Sequence, residues 1–319
     1  MVGGITMEVC HVFLGKDIVQ NKPITACIGY FDGLHKGHQA LIKRVLEQAK
    51  QTDIIPALIT FDPDPWTVIH KIEDISHITS MEDRMQIAEQ MGIQMWIVIH
   101  FHEEMETLSI QRFHKEILNP LHIQTLVCGY DFHYAHKGEG NVQTLKQQTV
   151  FDVDVIDEIS IQGEKISSSS IEKLIMDGEM EKVEELLTRP YRMKGRVFLG
   201  RQVGRTIGFP TANLLLNYRY IYPKKGVYIG SVHVKGKWHK AIINIGNNPT
   251  LNYRQDISIE AHILDFHSDI YEEDVIFCFY KRLRGEKKFA HKEELIEQLQ
   301  NDENKARHYF EERQDVLCD

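Results

Sequence analysis

The chain is predicted to fold as two domains: an α/β domain on a mostly parallel sheet, then an antiparallel β-barrel or sandwich closed by a C-terminal helix. Three observations carry this. Over residues 1–188 short apolar runs alternate with amphipathic helical stretches, the pattern of a parallel sheet with helices on both faces. Past the break at Thr188-Arg189-Pro190-Tyr191 the period changes to short strands separated by turns, as in closed antiparallel sheets. The charge changes at the same place. Residues 1–188 hold 15 Lys+Arg against 29 Asp+Glu and residues 189–319 hold 22 against 17, so the two halves are expected to do different work.

In the first half, Ile24-Thr25-Ala26-Cys27-Ile28 is a buried strand and Leu41, Ile42, Val45, Leu46 and Ala49 mark the helix after it. Ile54 to Phe61, Met95 to Ile99, Gln124 to Cys128 and Phe151 to Ile156 are further strands. Met81 to Met91, Ile110 to Leu118 and a stretch near Val142 read as helices between them. Ligands of such sheets sit at the carboxyl ends of the strands, so the turns after Ile28, Thr60, Val98 and Cys128 are the places to search. Helices from Glu172 to Leu187 lead to the break. Beyond it, Val197 to Leu199, Gly226 to Val234, Trp238 to Ile245, Ser258 to Phe266 and Val275 to Phe279 are the barrel strands. Glu293 to Phe310 closes the chain as a helix, with Leu295, Ile296, Leu299, Ala306 and Phe310 as its apolar residues.

A hydrophobic fraction of 42% with 26% charged residues describes a globular protein. No apolar run approaches the roughly 18–20 residues that span a bilayer, and no basic-then-apolar leader opens the chain. The acidic first half argues against nucleic acid as a partner, and the mild basic excess of the second is a solvated surface. Neither nucleic acid nor membrane is therefore expected as a partner, and oligomerisation is left open. Five scattered cysteines without a C-x-x-C pair fit a reducing cytoplasm.

The most informative stretch is Gly29-Tyr30-Phe31-Asp32-Gly33-Leu34-His35-Lys36-Gly37-His38. It is a strand, a tight turn, and a helix whose first residues are His35, Gly37 and His38. A helix start with unpaired N–H groups suits a phosphate, and two histidines three apart there can face one anion. Helix capping is the alternative reading of the pair, and a metal site lacks a third ligand. Ser167-Ser168-Ser169-Ser170 opens another helix with hydroxyls that serve as a cap or as anion donors. No Walker loop and no G-x-G-x-x-G is present. Gly208-Phe209-Pro210-Thr211-Ala212-Asn213 offers glycine for close approach and Thr and Asn oxygens for a hard cation. Glu260, between Ile259 and Ala261 in a strand, either faces solvent or acts as a general base at a barrel mouth.

At these residues the chain resembles the bacterial bifunctional riboflavin kinase/FAD synthetase family over nearly its whole length. Residues 1–188 are similar to the FMN adenylyltransferase module, a Rossmann-like nucleotidyltransferase with an H-x-G-H signature. The match rests on Gly29 to His38, Thr60-Phe61-x-Pro63-x-Pro65, Gly129-x-Asp131-Phe132 and Ile166-Ser167-Ser168-Ser169. Residues 189–319 are similar to the riboflavin kinase barrel through Gly204-Arg205-Thr206-Ile207-Gly208-Phe209-Pro210-Thr211-Ala212-Asn213. Asn244-Ile245-Gly246-x-x-Pro249-Thr250, Glu260 and Arg282-Leu283-Arg284-x-Glu286 support it.

The resemblance implies two reactions, riboflavin and ATP to FMN, then FMN and a second ATP to FAD with release of pyrophosphate. It implies catalytic roles for Glu260, His35 and His38. It implies nucleotide contacts at Gly29, Phe31, Asp32, Gly33, Gly37, Asp131, Ser167, Ser168, Ser169, Gly204, Arg205, Gly208, Pro210, Thr211 and Asn213. Flavin contacts are implied at Phe61, Pro63, Phe132, Arg284 and Glu286, and Mg²⁺ at Thr211 and Asn213. The chain departs from the family pattern at Glu172 (usually Arg), Asp64 (commonly His), Ala135 (usually Gly) and Arg201 (often Asp). The alternative that these departures raise is a riboflavin kinase whose first domain is weakened, retuned or regulatory.

Overall fold

The computed structural model describes residues 7–161, 163–200, 204–247 and 257–313, with backbone alone at 205 and 206. It divides into two compact units, Met1–Ile75 with Ser80–Ser167, and Ser76–Thr79 with Ser168–Asp319.

The first unit holds β1 (Glu8–Val12), β2 (Ile24–Ile28), β3 (Ile55–Asp62), β4 (Met95–His100), β5 (Ile123–Gly129) and β6 (Asp152–Ile156). They form one sheet in the order β1-β4-β3-β2-β5-β6, parallel at every pairing. Between them run α1 (Lys36–Thr52), α2 (Pro65–His70), α3 (Met81–Met91), α4 (Glu103–Glu106), α5 (Ile110–Phe113) and α6 (Val142–Gln147). Cys27, Leu58, Trp96, Val98 and Val127 pack one sheet face against Leu41, Ile42 and Val45 of α1 and Ile87 and Ala88 of α3. Ala26, Ile28, Ile59, Ile97, Ile99 and Leu126 pack the other against Phe113, Ile117 and Leu118. Burial on both faces is why these strands read as continuous apolar runs.

The helices α2 and α4 were not expected, and two further details differ from the sequence reading. The edge strand β1 was not expected, because Val12 is its one buried residue and its apolar run is short. The Ile110 to Leu118 stretch is α-helical only to Phe113 and continues as a π turn over His114–Leu118.

The chain leaves β2 for β3 and β4 on one side, then returns to place β5 on the other. The topological switch point, where open α/β sheets bind ligands, therefore lies at the carboxyl ends of β2 and β5. A short hairpin, β7 (Ser160–Ile161) with β8 (Glu164–Lys165), ends the unit.

The second unit opens with α7 (Ser168–Asp177) and α8 (Met180–Leu187), which stops at Thr188 in the left-handed region. Six strands follow: β9 (Tyr191–Phe198), β10 (Ala212–Leu216), β11 (Gly226–Val234), β12 (Lys237–Asn247), β13 (Ile257–Ile263) and β14 (Asp274–Arg284). They close into an antiparallel barrel in the order β10-β13-β12-β11-β14-β9, which settles the choice between barrel and sandwich. Ser76–Thr79 joins this unit because His77 donates its N–H to the Arg219 carbonyl at 3.0 Å and accepts from the Ile221 N–H at 3.0 Å.

The closing helix is α9 (Lys292–Glu312). Its buried stripe departs from expectation. Ala306 and Phe310 are buried, Leu295, Ile296 and Leu299 only partly so, and the carboxylate Asp302 is fully enclosed. Ala306 and Phe310 pack on Ile229, Ile242, Cys278 and Tyr280, so these side chains point out of the barrel toward α9.

Candidate active sites

The first site is the turn at the carboxyl end of β2. Phe31 (φ 62°), Gly33 (φ 77°) and Leu34 (φ 42°) all lie in the left-handed region, with Phe31 and Leu34 fully buried. Such backbone persists only where surrounding packing holds it, and it gathers at ligand sites. His35 is not the first helical residue but the N-cap of α1. Its Nδ1 accepts from the His38 N–H at 3.4 Å, and the two imidazoles stack at 3.7 Å. The capping alternative is thus part of the truth. A β-carbon at Gly37 would lie 3.0 Å from the His35 ring, so glycine there lets the ring fold over the helix start.

His38 also meets the Phe31 ring edge-on at 5.1 Å. Its enclosed Nδ1 has no hydrogen-bond partner among the described residues. Burial holds the His38 pKa well below the ordinary histidine value, helped by His35 and by the Arg84 cation. At neutral pH the ring is therefore uncharged.

Asp32, 4% exposed, lies 3.6 Å from the guanidinium of Arg84, which has no exposed surface. Arg84 also donates to the Tyr30 carbonyl at 3.1 Å and stacks on the Tyr30 ring at 4.3 Å. Arg84 was missed by the sequence reading. Its signal was position: it shares the inward stripe of α3 with Ile87 and Ala88.

At the end of β5, Gly129 leaves room for Asp131, whose Oδ1 would lie 3.0 Å from a β-carbon there. Asp131 accepts from Lys165 Nζ at 2.6 Å, and this exposed pair crosses from the turn to the β7–β8 hairpin. Phe132 stacks on Tyr134 at 5.8 Å. Phe61 is the penultimate residue of β3 with Pro63 just beyond the strand, and Asp64 caps α2 by accepting from the Trp66 N–H at 2.9 Å. Ile166, just before Ser167, presents its carbonyl 3.9 Å from a β-carbon built on Gly37. Ser168 and Ser169 begin α7 and belong to the second unit, as does the partly buried Glu172.

The second site is on the outer wall of the barrel. Ile242 of β12 pairs with His262 of β13 and points out toward α9, so Asn244 and Glu260, two residues along in the same ladder, also face outward. Glu260 is therefore not inside the barrel; its neighbours Ile259 and Ala261 are. Asn213 of β10 pairs with Glu260 from the other side. Thr211 Oγ1 donates to Glu260 Oε2 at 3.3 Å. Next in the outward row of β12 is Gly246, where a β-carbon would lie 2.7 Å from Glu286 Oε1 and 3.3 Å from Asn244 Nδ2.

Glycines shape the loop before β10. A β-carbon at Gly200 would collide with the Asn213 amide at 2.3 Å, and one at Gly204 with the Phe209 carbonyl at 2.2 Å. Gly208 adopts φ +86°. Arg201, the side chain of Arg205, Pro249 and Thr250 lie outside the described residues.

A cavity of about 300 Å³ is lined by Pro210, Thr211, Ala212, Ala261, Phe266 and Tyr271 among others. Thr211 thus borders both the cavity and the carboxylate. The set of one hydroxyl, one amide and one carboxylate consists of hard oxygen donors. Such a set suits Mg²⁺, which keeps several ligand positions for water and phosphate.

These features define a two-domain chain, a nucleotidyltransferase-type parallel-sheet domain joined to a six-stranded kinase-type barrel. The FAD synthetase family model matches residues 17–170, and the riboflavin kinase family model matches residues 187–310. The chain is 39% identical to a bifunctional riboflavin kinase/FMN adenylyltransferase of Listeria monocytogenes, over 94% of this chain and 100% of that one. It is 36% identical to the Bacillus subtilis protein of the same name, over 91% and 93%, and 31% identical to that of Escherichia coli K12, over 89% and 91%. A solved chain from Streptococcus pneumoniae, described as a macrolide-efflux protein, superposes with a TM-score of 0.87 at 28% identity. The match covers 94% of this chain and 99% of that one. The protein belongs to the bifunctional riboflavin kinase/FMN adenylyltransferase family. Among the described residues no helix is long and apolar enough to cross a membrane.

Proposed function

We propose that the chain phosphorylates riboflavin to FMN with ATP, and then adenylylates FMN to FAD with a second ATP. Residues 189–319 would carry the first reaction and residues 1–188 the second. The observation that carries the kinase reading is the meeting of Thr211, Asn213 and Glu260 on one outward patch beside the 300 Å³ cavity. The curated relatives are named for both activities, which favours this reading over a kinase with a weakened or regulatory first domain.

In the kinase site the cavity would take the adenosine of ATP, with the phosphates directed past Thr211. Glu260 would accept the proton of the ribityl 5′-hydroxyl as that oxygen attacks the γ-phosphorus. The bond to the β-phosphate oxygen breaks and ADP leaves. Thr211 and Asn213, with Gly204, Arg205, Gly208 and Pro210 shaping the loop, would hold Mg²⁺, which would supply charge neutralisation for the phosphates. Asn244 shares the outward patch, and Arg284 and Glu286 would fix the flavin.

In the adenylyltransferase site a phosphate oxygen of FMN attacks the α-phosphorus of ATP, and pyrophosphate leaves. Positioning and charge stabilisation suffice, and no protein nucleophile is needed. Gly29, Phe31, Asp32, Gly33 and Gly37 would shape the nucleotide site at the β2 switch point, with the His38 imidazole donating to phosphate. Asp131 would orient the nucleotide, and the Ser167 hydroxyl would supply a further donor. Phe61, Pro63 and Phe132 would bound the flavin. The free thiols of Cys10, Cys27 and Cys128 fit a cytoplasmic enzyme.

Incubating the protein with riboflavin, ATP and Mg²⁺ and separating the flavins tests this directly. FMN and FAD together are expected. FMN alone would establish a kinase with a non-adenylylating first domain. Flavin binding without either product would leave a sensor.

A further inference from the structure

Asp302 is a carboxylate on the buried stripe of an otherwise amphipathic helix, four residues before Ala306. Both Nε and a terminal nitrogen of Arg284 donate to its Oδ2, at 2.9 and 2.7 Å, and Gln298 Nε2 donates to its Oδ1 at 2.8 Å. Asp302 is wholly buried and Arg284 nearly so, 14% exposed. Buried ion pairs seldom add stability over an apolar pair of the same size, so stability alone accounts poorly for a carboxylate here. A guanidinium held by two N–H groups does fix direction.

What it directs is the end of β14. A β-carbon at Gly226 would approach the Arg284 carbonyl to 2.3 Å, so the backbone there is pressed against β11. Three residues on, Lys287 Nζ donates to Gln298 Oε1 at 3.0 Å. Glu286 lies between these two ties to α9, with its carboxylate over Gly246 in the outward row that includes Asn244.

We infer that Asp302 is a positioning residue for riboflavin phosphorylation: through Arg284 and Gln298 it holds the 284–287 segment so that Glu286 meets the flavin beside Glu260. The inference rests on the proposed flavin role of Glu286. Asp302 itself is enclosed and touches no substrate.

The test is a double-mutant cycle read in riboflavin KM and kcat for FMN formation, using the full chain. Thermal unfolding and adenylylation of supplied FMN are measured on the same samples. Asp302→Asn keeps the side-chain shape. It is expected to raise riboflavin KM on the order of 10-fold with kcat changed less than about 3-fold, the split expected of lost substrate positioning. Glu286→Gln should raise KM as well, and the double variant should be no worse than Glu286→Gln alone, because residues acting as one unit are not additive.

Independent, multiplying effects overturn the inference, as does an Asp302→Asn chain that melts earlier with its KM unchanged. An unchanged KM in Glu286→Gln overturns the reading of Glu286, and the inference with it. If Asp302→Asn does not fold, Gln298→Ala keeps the buried pair and cuts the tie to Lys287. A KM rise of about 3-fold in that variant, absent in a Glu286→Gln background, supports the inference, and no rise overturns it.

Discussion

The Nδ1 of His35 accepts a hydrogen bond from the backbone N–H of His38 at 3.4 Å while the two rings stack at 3.7 Å. One side chain therefore caps α1 and covers the ring proposed to meet the phosphate. The two duties separate by substitution. Asn is a good N-cap without an imidazole, whereas Ala is neither. His35→Asn should leave thermal stability nearly unchanged and lower FAD formation. His35→Ala should do the same to activity and also lose about 1 kcal/mol of stability. Equal destabilisation by both would show that the cap contributes little.

His38 stays neutral because its folded pKa lies well below the ordinary 6.5. The sign follows from proton binding. Below about pH 6.5 the unfolded chain takes up a proton that the folded chain excludes, so stability falls as the pH is lowered. Above that value the contribution is constant. Denaturant unfolding of the wild-type chain between pH 7.5 and 5.5 should show this loss, and His38→Gln should lessen it, His100, His114 and His239 being shifted the same way. Parallel curves would put the acid sensitivity elsewhere.

Arg84 and Asp32 form an enclosed ion pair under the first site. Removing one member strands the other charge, which typically costs about 3–5 kcal/mol. Arg84→Met should destabilise the first unit by that order. Arg84→Met with Asp32→Asn should recover much of it without recovering FAD formation. Calorimetry of the single and double variants decides this.

Ala135 occupies φ 63°, ψ −170°, a conformation in which glycine is at home and other residues are strained. Strain of about 1–3 kcal/mol outweighs the added freedom of an unfolded glycine, about 0.4–1 kcal/mol, and one half-buried methyl. Ala135→Gly should therefore stabilise the chain by roughly 1 kcal/mol. A lower melting temperature would show that the methyl packing dominates.

Glu260→Gln keeps the contact with Thr211 but removes the base, and should abolish FMN formation while supplied FMN is still converted to FAD. His38→Ala should do the reverse. Equal loss of both activities in either variant would sink the assignment of two separate sites.

Much of this was legible in the residues. The two periods, 3.6 and 2, located the domain types, because burial on one or both faces writes itself into local spacing. Gly29 to His38 and Gly208 to Asn213 stood out because turns that bring backbone close to a ligand require glycine at particular places. Arg84, Asp302 and the strands β1 and β10 did not stand out in the same way. A charged residue on a buried stripe looks like an exception until its partner is known, and the partners are 52 and 18 residues away.

By itself, then, the sequence determined the two domain types, most of the helices and strands and which turns can approach a phosphate, since these depend on neighbours a few residues apart. Tertiary structure alone decided that His35 is a buried cap and that His38, only partly buried, has its Nδ1 enclosed. It also decided that Glu260 faces outward with Asn244, and that Ser76–Thr79 belongs with the barrel unit. Those outcomes depend on sheet order, strand register and packing between distant segments. No local period records them.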